Sequence, residues 1–250
     1  MKRRIVVAGV CAALALAGCN APVERSQHEE ERQEGGWTAS PHISAVERQG
    51  SGLLVRGEAS PGARVVLRGD QDVAFAAGAD QAGRFELPVG ALPAAVLLTP
   101  EVRVGQFSTS GPERLLLVGG DAPGGTVLAA LFVEGGASRR LSVAPALDSV
   151  DGDGQGLVVA GRAGPDAAVA VSVDGGPPIS VTADAEGRWT TALPNVGDRV
   201  ARITVGSAEF VYPGPAAKGA AAGVERSGDG WRYTRMLSPS ARQTSWFPDA

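Results

Sequence analysis

The sequence predicts an all-β protein in which two tandem β-sandwich domains follow a signal peptide and a flexible tether. Three observations predict this fold class. Glycine and proline are abundant, at 35 and 17 of 250 residues, while aromatic residues make up only 5%, a mixture that favours short strands joined by turns. Apolar and polar residues alternate in many short runs, as in half-buried strands. Almost the whole chain after residue 40 consists of two similar sequences, one after the other.

The first element is a signal peptide at residues 1–18. A basic start, Lys2-Arg3-Arg4, precedes an apolar stretch from Ile5 to about Leu16. This stretch is shorter than the roughly 20 residues that a permanent membrane span requires. It ends in Leu-Ala-Gly-Cys at residues 16–19.

The ending Leu-Ala-Gly-Cys resembles the lipobox of bacterial lipoproteins. The resemblance implies that Cys19 carries a thioether-linked diacylglyceryl group, that the signal is cleaved after Gly18, and that the new N-terminus is acylated. Several acyl chains, at about 0.8 kcal/mol per buried CH₂, give a stable anchor. Asn20 is not the Asp associated with inner-membrane retention in such proteins. We therefore expect the periplasmic face of the bacterial outer membrane, with the cell surface as the alternative.

Residues 19–40 are predicted to be the lipidated cysteine and a flexible tether. They are polar and charged, contain Gly35-Gly36 and have no apolar periodicity, which is typical of segments that form no packed core. His28 lies among glutamates in this segment, and we interpret it as part of a solvated tether rather than a metal ligand.

The two domains are predicted at residues 41–144 and 145–250, called here the first and second repeats. At a constant offset of 104, Ala79–Phe85 (ADQAGRF) meets Ala183–Trp189 (ADAEGRW), and no gap is needed from Pro41 to Arg84. The register slips further along and then returns in the last hairpin, where Leu141–Val143 meets Ser245–Phe247. Matches of Pro, Asp and Arg in one register make a chance origin improbable.

The quoted heptapeptide predicts a turn between two strands. Its Asp can cap the turn through its side chain, and its Gly can take the left-handed conformation. The residues that follow alternate outward and inward, so Phe85 and Trp189 are predicted core anchors. At the end of the first repeat, Gly135-Gly136 is predicted to be the turn of a hairpin.

The repeated pattern G-x-A-x-P-G-A-x-V-x-L, followed by A-D-x-x-G-R-[FW], resembles that of bacterial immunoglobulin-like repeats. The resemblance covers the first half of each repeat well and the second half poorly. It implies an Ig-like β-sandwich, a fold that serves as spacer, stalk, adhesive or docking module in surface and periplasmic proteins. The second repeat departs from the pattern at Asp166, where the turn Gly of the first repeat, Gly62, is replaced.

Charge and cysteine content exclude several classes of function. The chain has a formal net charge of −4, and loss of the three basic residues of the signal takes it to −7. An acidic protein without a basic run is not expected to bind nucleic acid or to dock on anionic lipid through its surface. Of the two cysteines, Cys11 lies in the signal and Cys19 carries lipid, so no disulfide or zinc site is expected in the domains.

One stretch suggests a metal ligand set. Asp148, Asp151 and Asp153 are three carboxylates within six residues, interspersed with glycine, and could wrap a calcium ion between the domains. Their spacing is not that of an EF-hand loop, and the first repeat has Ser44, Glu47 and Gln49 in their place. We therefore expect a solvated turn between domains, with no metal or other cofactor.

The aromatic residues of the last hairpin form the other candidate site. Trp231, Tyr233, Trp246 and Phe247 could form a platform for a saccharide, although tryptophans on facing strands more often pack as core pairs. The first repeat has Val127, Ala129, Ser142 and Val143 at these positions. If any face of the protein binds a partner, we expect it to be this one.

Together, these features predict a non-enzymatic outer-membrane lipoprotein that presents two Ig-like domains as an envelope scaffold or protein-interaction module. The expected partners are the membrane, through the N-terminal lipid, and envelope proteins. A lipoprotein that binds cell-wall peptidoglycan or surface polysaccharide through the C-terminal aromatics is the alternative, and a carboxylate-based hydrolase is a remote one.

Overall fold

Antiparallel strands build both repeats. The computed structural model describes residues 39–70, 73–92, 95–119, 127–133, 136–143, 145–217, 220–238 and 241–250, and these ranges contain strands and turns but no helix. The first repeat contains β1 His42–Gln49, β2 Gly52–Glu58, β3 Arg64–Arg68, β4 Ala74–Gly78, β5 Arg84–Val89, β6 Val96–Val104, β7 Phe107–Ser110, β8 Arg114–Val118, β9 Leu128–Phe132 and β10 Arg139–Arg140. The second contains β11 Leu147–Gly152, β12 Leu157–Arg162, β13 Ala168–Val173, β14 Ile179–Thr182, β15 Arg188–Leu193, β16 Ala201–Val205, β17 Ala208–Tyr212, β18 Gly223–Arg226, β19 Gly230–Met236 and β20 Arg242–Pro248.

Each repeat encloses a hydrophobic core between two sheets, which confirms the predicted β-sandwich architecture. In the first repeat a three-stranded sheet, β1-β2-β5, and a larger sheet, β10-β9-β8-β6-β3-β4 with β7 beside β6, share one core. In the second repeat the sheets are β15-β12-β11-β20-β19-β18 and β14-β13-β16-β17. Alternating exposure along β5 and β15 shows the period of two that a sandwich strand requires.

The aromatic residue that ends the repeated heptapeptide is a core anchor in both repeats, as predicted. Phe85 and Trp189 are each 2% exposed. Each ring lies over a glycine on the neighbouring strand, Gly57 for Phe85 and Gly161 for Trp189. A Cβ atom on Gly161 would lie 2.4 Å from Cζ2 of Trp189, so the glycine makes room for the ring.

The heptapeptide itself forms the same turn twice. Asp80 Oδ1 accepts hydrogen bonds from the backbone N–H groups of Ala82 and Arg84, at 2.8 and 2.9 Å. Asp184 repeats this with Glu186 and Arg188. Gly83 and Gly187, with φ of 80° and 76°, take the left-handed conformation at the end of the turn. The near-identical sequence is therefore explained by turn geometry.

The turn at Asp166 keeps its conformation without glycine. Asp166 has φ of 56°, and its counterpart Gly62 has φ of 70°. Asp tolerates the left-handed region better than most residues with a side chain. The departure of the second repeat from the Ig-like pattern therefore changes one residue and preserves the turn.

The last hairpin is where the two repeats differ. In the first repeat, β9 pairs with β8 and β10, and this hairpin extends the sheet that contains β6 and β3. In the second repeat, β20 pairs with both β19 and β11, and so extends the sheet that contains β11 and β12. Equivalent segments of sequence thus join opposite sheets of their sandwiches.

Candidate functional site

Three of the four C-terminal aromatics, Trp231, Tyr233 and Phe247, lie at the junction of the two repeats. Phe247 is fully buried, and its ring packs edge-on against Phe132 of β9, with 5.6 Å between ring centroids. Tyr233 lies 4.5 Å from the same Phe132 ring and is half-buried. Side chains of the second repeat therefore pack directly on the first.

Strands β8 and β9 receive this contact because they are apolar on both faces. Leu115, Leu117, Ala129 and Leu131 face the core of the first repeat. The alternate residues of these two strands form a second cluster with four residues of the second repeat, Val224, Trp231, Tyr233 and Phe247. The alternate residues are Leu116, Val118, Leu128, Ala130 and Phe132. Every residue of β9 is buried. An apolar interface of this kind restricts the relative motion that is otherwise expected between domains.

Trp246 and Trp231 occupy different environments. Trp246 is 1% exposed in the core of the second repeat, where its ring packs edge-on against Tyr212 and its Nε1 donates to the carbonyl of Ser227 at 2.8 Å. Trp231 is half-buried, with the guanidinium of Arg226 over its ring, 5.0 Å from the centroid. A saccharide platform would have to use the parts of Trp231 and Tyr233 that stay exposed, and this binding role stays a prediction.

Beside the apolar contact lies a polar cluster centred on Asp151 of β11. Its carboxylate accepts hydrogen bonds from the backbone N–H and the hydroxyl of Ser138, at 2.8 and 2.5 Å. The hydroxyls of Ser149 and Ser245 also donate to it. Ser138 belongs to the first repeat and the other three residues to the second, so this carboxylate joins the repeats.

The neighbouring Asp148 belongs to a second polar group. The Arg162 guanidinium donates to its carboxylate at 3.2 Å and also donates to the carbonyl of Arg140. Arg140, 1% exposed, donates in turn to Pro248 O at 2.5 Å and to Ser142 Oγ at 3.1 Å. The end of the first repeat is therefore bound to both β12 and the C-terminus.

Burial dominates the electrostatics of the junction. It raises the pKa of the Asp151 carboxyl, against the hydrogen bonds that favour the ionised form. It raises the pKa of Asp148 as well, although the positive charge of Arg162 opposes the shift. Burial also lowers the pKa of Arg140. Each of these groups is hydrogen-bonded, which is how buried charges are usually tolerated, and among the three only Asp148 forms an ion pair within the described part of the chain, with Arg162.

The three candidate calcium ligands do not form one site, and the expected solvated turn is wrong for two of them, because Asp148 and Asp151 are buried in β11. Asp148 and Asp151 are engaged as above, whereas Asp153 is exposed and accepts from the backbone N–H groups of Gln155 and Gly156. No group of three or more metal-ligating side chains occurs in the part of the chain that the structure describes.

Cysteine and histidine are rare in the chain, with two residues of each. Cys19 and His28 lie outside the described residues. His42 is exposed at the start of β1, and its Nδ1 is 3.5 Å from a carboxylate oxygen of Glu113. Among the described residues, no helix is long and apolar enough to cross a bilayer.

Sequence reasoning missed the contribution of the first repeat to this junction. Phe132, Ser138 and Arg140 were not singled out. A signal for Phe132 does exist in the uninterrupted apolar runs Leu115–Val118 and Leu128–Phe132, because strands without alternation are typically buried on both faces. No local pattern signals Ser138 or Arg140, because both make hydrogen bonds to residues of the second repeat.

Comparison with known proteins adds no assignment. No protein-family model matches the sequence, and no curated protein matches it.

Proposed function

We propose that the protein is an outer-membrane lipoprotein, anchored through lipid on Cys19, that presents the two Ig-like repeats as a scaffold or protein-interaction module of the cell envelope. The anchoring part rests on the sequence Leu16–Cys19 and the apolar stretch before it. The proposal that the protein presents the two repeats as a scaffold or interaction module rests on the fold and on the junction between the repeats.

The observation that carries the presenting role is the burial of β9 on both faces. One face belongs to the core of the first repeat, and the other is covered by Phe247, Tyr233 and their neighbours from the second. Two sandwiches joined in this way act as one body. A tether followed by one rigid body suits a protein that holds a binding surface at a distance from the membrane.

A non-enzymatic role agrees with the way the buried carboxylates are used. A hydrolase that works with two carboxyl groups needs both to face one substrate cleft. Here Asp151 is engaged by serine hydroxyls and Asp148 by Arg162. Asp151 thereby joins the repeats, and Asp148 accepts from the guanidinium that also donates to the carbonyl of Arg140 in the first repeat.

Substitution of Cys19 tests the anchoring. The chain with Cys19→Ser should lose incorporation of radiolabelled palmitate and move from the membrane fraction to the soluble fraction of a Gram-negative host. Cys11→Ser is the matched control, because Cys11 lies in the stretch that is removed, and this variant should keep both label and location. A wild-type protein that binds the membrane without incorporating label would contradict the proposal.

A further inference from the structure

A groove of about 540 Å³ runs along the outer edge of β1, which is the last strand of its sheet. Val46 and Glu47 of β1 line one wall, and Leu141 and Val143 line the other. Arg162 and Ala250 of the second repeat extend the lining, so this β1 groove is continuous with the junction described above. Its volume is in the range of clefts that bind ligands.

The second repeat shows what occupies the equivalent space there. At the offset of 104, Val46–Arg48 corresponds to Val150–Gly152, and these three residues of β11 pair with Thr244–Trp246 of β20. Leu141–Val143 corresponds to Ser245–Phe247. The two walls of the β1 groove are therefore the segments that lie side by side in the second repeat.

In the first repeat these segments are held apart. The backbone N–H groups of Leu141 and Ser142 donate to the carbonyl of Ala129, at 2.7 and 3.4 Å. Ser142 Oγ accepts from the N–H of Ala129 at 3.3 Å. Residues 141–143 are thus kept beside β9, away from β1.

The exposure of equivalent side chains also differs between the two repeats. Val143 is 84% exposed, whereas its counterpart Phe247 is fully buried. Among the described residues, Val143 is the most exposed of the large apolar side chains. The acidic side chain on this edge, Glu47, forms an ion pair with Arg56 at 2.6 Å. Among the described residues no strand pairs with the outer edge of β1, and an apolar groove beside such an edge is the arrangement that β-strand addition uses.

We propose that the β1 groove binds an extended segment of a partner protein, which pairs antiparallel with β1 and fills the space that β20 fills in the second repeat. The backbone of the partner would supply hydrogen bonds to β1. A large apolar side chain opposite Val46 would point into the sandwich, as Trp246 does opposite Val150. This inference rests on the proposed interaction function and specifies the kind of partner.

The test uses a peptide with the sequence of β20, Arg-Gln-Thr-Ser-Trp-Phe-Pro, because this sequence fits the equivalent edge. A fluorescein-labelled form is titrated into the whole chain carrying Cys19→Ser, and amide hydrogen exchange is followed. We expect saturable binding and slower exchange at the amide of Val46. A peptide with its tryptophan replaced by serine should bind at least tenfold more weakly.

Two variants of the protein make the test specific. Val143→Asp should weaken peptide binding at least tenfold without unfolding the protein, because this side chain is exposed. Val211→Asp is the matched control, since Val211 is 50% exposed on β17 of the second repeat and should leave binding unchanged.

Three results would overturn the proposal. The first is the absence of saturable binding, and the second is equal binding by the two variants. The third is slow exchange at the amide of Val46 without peptide, which would show that another part of the chain or, if it depends on protein concentration, a second copy covers the edge. None of these results would affect palmitate labelling at Cys19, so failure of this inference is distinguishable from failure of the anchoring proposal.

Discussion

The last hairpins of the two repeats come from equivalent positions in the sequence and have opposite roles. β20 of the second repeat closes the edge of β11, and the hairpin to which it belongs packs its aromatics on the first repeat. Residues 139–142 of the first repeat stay beside β9, and no strand of the described residues pairs with the outer edge of β1. The comparison teaches that a duplicated domain can use one copy of a hairpin to close a strand edge and join the domains, while the other copy of the hairpin does not pair with the equivalent edge.

Among the substitutions that test this comparison, the one at Phe132 should have the largest effect on stability. Phe132→Ala should lower the free energy of unfolding by about 3–5 kcal/mol, because the side chain is 3% exposed and contacts Tyr233 and Phe247 across the junction. Its counterpart at the offset of 104, Met236, is 45% exposed. Met236→Ala should therefore change stability by only about 0.5 kcal/mol. Urea unfolding measures both, and equal losses would contradict the account of the junction.

A smaller effect is expected at Asp151. Asp151→Ala leaves the buried N–H of Ser138 without its acceptor, which should cost about 1–3 kcal/mol. The matched residue of the first repeat is Glu47, whose ion pair with Arg56 is exposed, so Glu47→Ala should cost at most about 1 kcal/mol. If Glu47→Ala is the more harmful of the two by urea unfolding, the polar cluster does not join the repeats.

The carboxylates of the junction and those of the shared turns should change the stability in opposite directions as the pH falls. Burial raises the pKa of Asp151 and Asp148 above the ordinary value, so the folded state binds protons at these groups more tightly than the unfolded state. Their ionisation therefore opposes folding, and stability should rise as the pH falls from neutrality toward about 4.

Below about pH 4 the direction should reverse. Backbone hydrogen bonds lower the pKa of Asp80 and Asp184 in the repeated turns, and the stability that these carboxylates contribute is lost as the pH falls through their lowered pKa values. Asp151→Asn should flatten the rise and leave the acid limb in place. Unfolding midpoints between pH 3 and 7.5 test this, and an unchanged rise in Asp151→Asn would contradict the assignment.

The smallest expected effect concerns the turn at Asp166. Asp166→Gly should stabilise the protein by about 0.5 kcal/mol, because glycine takes the positive φ of 56° without steric cost. The reverse change in the first repeat, Gly62→Asp, should destabilise by a similar amount. A change of the opposite sign in either variant, measured by thermal unfolding, would show that the two turns are not equivalent.

The sequence alone sufficed for the fold class and for the shared elements of the repeats. The heptapeptide turn, its glycine and the inward direction of Phe85 and Trp189 follow from local chemistry, because turn capping and a period of two are properties of neighbouring residues. The hairpin with Gly135-Gly136 at its turn was also predictable, and β9 and β10 do pair, although Gly135 itself lies outside the described residues.

The junction could be predicted only in part. Packing of the aromatics was the expected use of tryptophans on facing strands, and Trp246 lies in the core accordingly. That Phe247 and Tyr233 pack on Phe132 depends on contacts about 100 residues apart, which periodicity does not encode. The same holds for the serines around Asp151, and for the sheet that each last hairpin joins, since both sheets of a sandwich offer a strand edge.

Hydrogen exchange of matched amides in β1 and β11 tests the central comparison most directly. In the unliganded whole chain carrying Cys19→Ser, the amides of Val150–Gly152 that point toward β20 should exchange only on global unfolding. The matching amide of Val46 lies on the edge of β1 with which no described strand pairs, and it should exchange many-fold faster. Equal protection of Val46 and Val150 would contradict the account, because it would mean that both repeats close the same edge.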